Sequence, residues 1–260
     1  MNLEAKAAEL RRTILETALK AGKGHIPPAL SWVEIAVALY YGGVLNYGGG
    51  DERDRFVLSK GHGALTLYAV LRDLGFFGMD VLGQFSKHGA LLAGHPDVQI
   101  PGVDSCTGSL GHGLGVGAGM ALAAKLSGKA WRTFVLLGDG ELNEGSIWEA
   151  AMFSAHHKLR NLTAIVDYNK LCSANWTKDI IGGSWFQRFV AFGWDVEICD
   201  GHNIEALVAK LKWPHLIDQP HIVFASTTKG RGIPFMEASP LWHHRMVKGD
   251  EIEQARKALA

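Results

Sequence analysis

The sequence has no surplus of either charge. Its 260 residues carry 26 Lys+Arg against 26 Asp+Glu, so no field of one sign exists to gather nucleic acid or to hold the chain on an anionic membrane. Cysteine is scarce. Cys106, Cys172 and Cys199 are odd in number, far apart and form no CxxC pair, which excludes a disulfide framework and a thiolate zinc site. Long apolar runs are missing too. The best candidate, 32–45, is interrupted by Glu34 and ends in Gly42-Gly43, short of the ~18 residues that a membrane span needs. The first twenty residues place Glu4, Glu9, Arg11, Arg12 and Glu16 at helical intervals, without the apolar core of a signal peptide. A soluble, cytoplasmic, single domain over 1–260 is expected, large enough to bury about 70–75% of its unfolded surface without staples.

Glycine is in excess, at 32 residues where the usual ~7% would give about 18. The glycines form discrete clusters, among them 108–119, Gly138-Gly140, Gly182-Gly183 and Gly230-Gly232, as expected where backbone turns tightly or approaches a ligand. Periodicity predicts helices over 3–19 (closed at Gly22), 31–41 (with Ser31 and Glu34 as a capping box), 64–74, 111–127, 145–158, 184–192 and 203–212. Strands are predicted over 55–58, 132–137, 162–167, 194–199 and 221–226. This alternation implies an α/β fold with a doubly wound, mainly parallel sheet flanked by helices. Ligands in such sheets bind beyond the carboxyl ends of the strands.

Those ends carry the chemistry. Gly138-Asp139-Gly140 follows one strand and Asp167-Tyr168-Asn169 closes the next. A carboxylate and an amide oxygen on neighbouring strand ends are hard ligands for Mg²⁺ or Ca²⁺, and the glycines let backbone reach a phosphate. The dipeptide alone would be an ordinary Asp-Gly turn; the constellation on two strand ends favours the metal. Residues Gly113, Gly115 and Ala118 fit G-x-G-x-x-A, but no strand precedes them, so a glycine-lined helix against the sheet is the better reading. Four of twelve histidines stand in turn-like positions: His25, His62, His95 and His243. Their convergence on a cleft would suit recognition of hydroxyls and proton transfer near neutral pH. His88, His156, His157, His202, His215 and His221 lack such settings and read as surface or core.

In order along the chain, Lys23-Gly24-His25, Phe56–Gly63, Gly94-His95-Pro96, Thr107–Gly111, Gly138-Asp139-Gly140 with Asn169, and Met236-Glu237 with Trp242-His243 resemble the N-terminal half of transketolases. The chain is most similar to the N-terminal subunit of a split, two-chain form. The resemblance implies a thiamine diphosphate-binding fold, with Mg²⁺ (or Ca²⁺ or Mn²⁺) held by Asp139, Asn169 and the Leu171 carbonyl. It implies Gly138, Gly140, His62 and His243 at the diphosphate, and Gly108, Ser109 and Leu110 along the rings. His25, His95 and His243 would meet the sugar's hydroxyls and carbonyl oxygen, and Glu144 would lie at a subunit interface. The implied activity is transfer of a two-carbon ketol unit from a ketose to an aldose by covalent catalysis on the cofactor. The pyrimidine-binding domain, with its essential glutamate and sugar-phosphate arginines, is expected on a C-terminal partner chain in an α2β2 assembly, and this chain alone is expected to be inactive.

Three positions depart from the family pattern: His112 for glutamine, His244 for glycine, and 174–176 for an Asp-Gly turn. The last two would stand near the cleft mouth, which leaves open a phosphorylated or sulfonated ketose other than the pentose phosphates. A component of a deoxyxylulose-phosphate synthase-like or 2-oxo-acid dehydrogenase E1-like enzyme, a non-catalytic binding module and a Mg²⁺-dependent phosphohydrolase are the alternatives.

Overall fold

The computed structural model describes residues 1–260 apart from Ala174, Gly182 and 213–217. His215, part of the 174–176 segment and one glycine of the Gly182-Gly183 cluster therefore lie outside the described residues.

Along the chain run α1 (Leu3–Ala21), α2 (Ile26–Leu30), α3 (Val33–Tyr40), β1 (Arg55–Leu58), α4 (Ala64–Asp73), α5 (Met79–Leu82), α6 (His112–Leu126), β2 (Thr133–Gly138), α7 (Gly145–His156), β3 (Leu162–Tyr168), α8 (Trp185–Ala191), β4 (Asp195–Asp200), α9 (Ile204–Lys212), β5 (His221–Ser226) and α10 (Asp250–Ala258). The five strands form one all-parallel sheet in the order β1-β2-β3-β5-β4. Successive side chains of a strand point to opposite faces, and both faces are buried. Phe134, Leu136, Ile165 and Val223 enter a core shared with α1, α3, α4 and α9. Val135, Leu137, Ala164, Val166 and Phe224 enter a second core beneath α6, α7 and α8. The doubly wound expectation holds, and helix layers cover the sheet on both sides.

Local sequence explains both ends of α1. Asn2 caps α1 by accepting from Ala5 N at 3.0 Å, and Gly22 closes it at φ 68°, the left-handed turn that glycine enters without a Cβ penalty. The glycines of α6 serve packing: a Cβ on Gly113 would collide with Ser59, and one on Gly117 with Val135. This helix is the glycine-lined element expected against the sheet.

The helix expected over 31–41 is α3, and the separate short α2 precedes it with Pro27 and Pro28 in its first turn. One expectation fails. The capping box does not form. The Ser31 hydroxyl donates to Pro28 O and the Asp167 carboxylate, and the Glu34 carboxylate accepts from Arg11 at 2.6 and 2.7 Å. Helices α2, α5 and α10 lie outside the predicted elements. Among the described residues no helix is long and apolar enough to cross a membrane.

Candidate active site

The pairing Gly138↔Asp167 fixes the site. It brings the residues after β2 and β3 side by side at the carboxyl edge of the sheet, with the exits of β1 and β5 flanking them. A cavity of about 400 Å³ opens there, lined by Lys60, His62, His95, Gly108, Leu110, Gly138, Asp139, Gly140, Asn169, Leu171, Lys229 and His243, among others. Pockets of this size take cofactors and small ligands.

Asp139 is buried and accepts backbone N–H groups from Gly140 at 2.8 Å and from Lys170. Burial, reinforced by the neighbouring Asp167 charge, pushes its carboxyl up to about 7. Asn169 Oδ1 accepts from Leu171 N at 3.1 Å, closing a local turn, and the Lys170 N–H bond ties that turn to the Asp139 carboxylate. A buried carboxylate, an amide oxygen and a backbone carbonyl are together an all-oxygen set of the kind hard divalent cations prefer. Lys60 and Asp167 form a fully buried ion pair, and Asp167 also accepts from Ser31 and Thr227. Burial opposes ionisation of Asp167, but Lys60 and these donors hold its carboxyl below the usual range. Lys229 donates to Cys172 O at 3.1 Å; burial and the Lys60 charge bring its ammonium down to about 8.

The four turn histidines converge. The His25 ring lies 5.7 Å from His62, 6.3 Å from His95, 5.6 Å from His243 and 4.5 Å from His244, and His62 lies 5.5 Å from His243. Burial, with the neighbouring imidazoles and the Lys60 and Lys229 charges, lowers His25 to about 4 and His243 to about 3. The same burial and Lys60 hold His62 well below its ordinary range, and burial lowers His95. At neutral pH these are neutral imidazoles, each with one donor and one acceptor nitrogen. His243 Nδ1, which lines the cavity, is buried with no hydrogen-bond partner among the described residues. Buried polar atoms are nearly always paired, so this orphan fits a polar ligand in the cavity.

Of the expected site residues, His62, His95, His243, Gly108, Leu110, Gly138, Asp139, Gly140, Asn169 and Leu171 border this cavity. His25 lines a small annex of about 100 Å³ beside it with Lys23, His62 and His244. Ser109 and Glu144 are exposed and line neither space. His112 is exposed at the start of α6, whereas His202 and His221 are tied to Glu34 and Glu197. Sequence reasoning gave no role to Lys60 and Lys229. The signal was available, since Lys60 follows β1 by two residues and Lys229 follows β5 by three. The strand-end rule that selected Asp139 and Asn169 selects both lysines.

Fold and site together define a cofactor-binding α/β domain of the thiamine diphosphate class. The family described as "Transketolase, thiamine diphosphate binding domain" matches residues 4–260, and the chain belongs to that family. It is 45% identical to a subunit of the apulose-4-phosphate transketolase of Actinobacillus succinogenes, over 99% of this chain and 95% of that protein. It is 36% identical to the 6-deoxy-6-sulfo-D-fructose transketolase subunit SqwG of a Clostridium species, over 99% and 96%. Transketolase of Campylobacter jejuni superposes with a TM-score of 0.92 at 27% identity; this chain is covered completely and spans 43% of that one.

Proposed function

We propose that this chain is the cofactor-binding N-terminal subunit of a split transketolase, using thiamine diphosphate and Mg²⁺. One observation carries the reading: a single cavity sets an all-oxygen, carboxylate-containing cluster beside the neutral imidazoles of His62, His95 and His243. The first suits a metal-bound diphosphate; the second suits a polyhydroxylated substrate. Near-complete overlap with relatives that are themselves named as transketolase subunits supports a separate C-terminal partner carrying the pyrimidine-binding domain, in an α2β2 assembly with this chain as one domain.

When bound, thiamine diphosphate supplies the electron sink that lets the bond beside a ketose carbonyl break and re-form. Asp139, Asn169 and the Leu171 carbonyl would hold Mg²⁺ (or Ca²⁺ or Mn²⁺) against the diphosphate. His62, His243, the Gly138–Gly140 backbone and the Lys229 ammonium would meet its oxygens. Gly108, Ser109 and Leu110 would run along the rings, and Glu144, exposed at the start of α7, would face the partner. His25, His95 and His243 would hold the ketose oxygens and move protons to and from them, each contributing about 10²–10⁴-fold.

Relatives named for apulose 4-phosphate and for 6-deoxy-6-sulfofructose define the first substrates to test, beside pentose phosphates. The chain is co-expressed with the adjacent reading frame, and the complex is assayed for bound thiamine diphosphate, Mg²⁺ and ketol transfer. Transfer by the complex and not by the chain alone is the expected outcome. A pure complex that binds no thiamine diphosphate overturns the reading.

A further inference from the structure

Glu141 is a buried acid with no part in the chemistry above. It lies in the 140–143 turn between β2 and α7, is 2% exposed and borders the cavity. Its Oε1 accepts from Gly111 N at 2.8 Å and from the Ser59 hydroxyl, and its Oε2 accepts from Gly138 N at 3.0 Å. The three donors belong to three segments that line the cavity. Ser59 leaves β1 three residues before His62, Gly111 follows Leu110, and Gly138 precedes Asp139. Neither Gly111, at φ 87°, nor the loop before it is held by regular secondary structure, so its orientation depends on such tertiary bonds. Burying a carboxylate is costly unless its oxygens are hydrogen-bonded. Here the cost is met by donors whose own burial demands an acceptor.

We propose that Glu141 is a positioning residue that fixes the distance between the diphosphate side of the cavity (Gly138–Gly140) and its ring side (Gly108–Leu110), with the His62 turn tied to both. The cofactor part of this inference rests on the function proposed above. Glutamine matches the shape of Glu141 but not its acceptors. With the amide oxygen toward Gly111 and Ser59, the NH₂ faces the Gly138 N–H; reversed, it faces two donors. Either way donor opposes donor, and the volume is unchanged.

The test uses wild type, Glu141→Gln and Glu141→Ala, each as the full chain and with the co-expressed partner. Without cofactor, amide hydrogen exchange of Gly111 and Gly138 accelerates about tenfold or more in Glu141→Ala while the β3 amides keep their protection. With Mg²⁺ present, thiamine diphosphate binds Glu141→Gln about tenfold more weakly, the loss expected for one charge-assisted hydrogen bond. At saturating cofactor the turnover number stays within about threefold of wild type. A merely structural role would lower the unfolding temperature and leave affinity unchanged wherever the variant is folded. Wild-type protection of both amides in folded Glu141→Ala, or wild-type affinity in folded Glu141→Gln, overturns the proposal. If wild type itself binds no thiamine diphosphate, the cofactor reading fails and the exchange measurement alone decides whether Glu141 holds the segments.

Discussion

The two ends of the same sheet treat buried charge in opposite ways. At the amino end the acids Asp54 and Asp104 are answered from within the chain. Asp54 accepts from Asn46 N, Arg132 N and the Arg132 guanidinium at 3.0, 2.7 and 2.8 Å. Asp104 pairs with Arg53 and accepts from Phe56 N at 2.9 Å. An orphan there, the Thr133 hydroxyl, is neutral. At the carboxyl end, Asp167 is answered by Lys60, but Asp139, one strand away, has among the described residues only backbone N–H partners and is pushed up to about 7. His243 beside it has an unpaired buried nitrogen. At the amino end the charged groups are paired within the chain; at the carboxyl end a buried acid and an imidazole nitrogen are left for a ligand to answer. This asymmetry is what strand-end ligand binding in parallel α/β sheets requires.

The sharpest way to break the comparison is to remove the unanswered acid. Asp139→Ala should abolish Mg²⁺-dependent retention of thiamine diphosphate, a loss of more than about 100-fold, since even outer partners of metal ligands are worth 10–100-fold. Equilibrium dialysis with and without Mg²⁺ reads it, and unchanged retention ends the metal assignment. His243→Asn should come next, lowering ketol transfer by the complex about 10²–10⁴-fold when measured at saturating cofactor. A change confined to the KM for ketose would remove His243 from proton transfer. At the amino end, Asp54→Ala strips an acceptor from two backbone N–H groups and a guanidinium and should cost about 2–3 kcal/mol of stability. Denaturant titration measures that cost, and cofactor affinity in the still-folded variant should equal wild type. Weaker binding there would mean that the two ends are coupled.

How much of this was legible in the sequence follows from the range of the forces involved. Strand ends and the GDG loop are set by local apolar runs and glycines, so β5 was placed at its observed limits and Asp139 and Asn169 were found as neighbours. The turn histidines were recognisable because glycine or proline flanks them or, for His243, because it follows Trp242 in a loop. The capping box failed for a long-range reason: Asp167, 136 residues away, takes the Ser31 hydroxyl, and Arg11 and His202 take Glu34. For the buried lysines only position speaks: Lys60 and Lys229 each follow a strand end, but nothing else within a window of sequence distinguishes them from solvated lysines. Short α2 and α5 offer too few residues for periodicity to register, and α10, exposed on most of its surface, has little apolar pattern to read.

The smallest effect expected is a pH slope that the carboxyl end imposes on stability. His25 and His243 sit at about 4 and 3 in the folded chain, below the ordinary imidazole value of about 6.5. Between about pH 6.5 and 4 the unfolded chain therefore takes up protons on these rings that the folded chain refuses, so stability falls as pH falls through that window. Asp139 acts in the opposite direction, because its folded value lies above the unfolded one and its contribution is lost as pH rises toward 7. The raw slope mixes the two, and a comparison between variants separates them. A His25→Asn, His243→Asn double variant keeps Asp139 but has no imidazole to refuse a proton at either position. Its thermal midpoint should fall less than that of wild type between pH 6.5 and 4.5, by a few degrees, as followed by circular dichroism without cofactor. Parallel curves would show that these two rings are not held neutral by their surroundings, and the contrast between the two ends of the sheet would then rest on Asp139 alone.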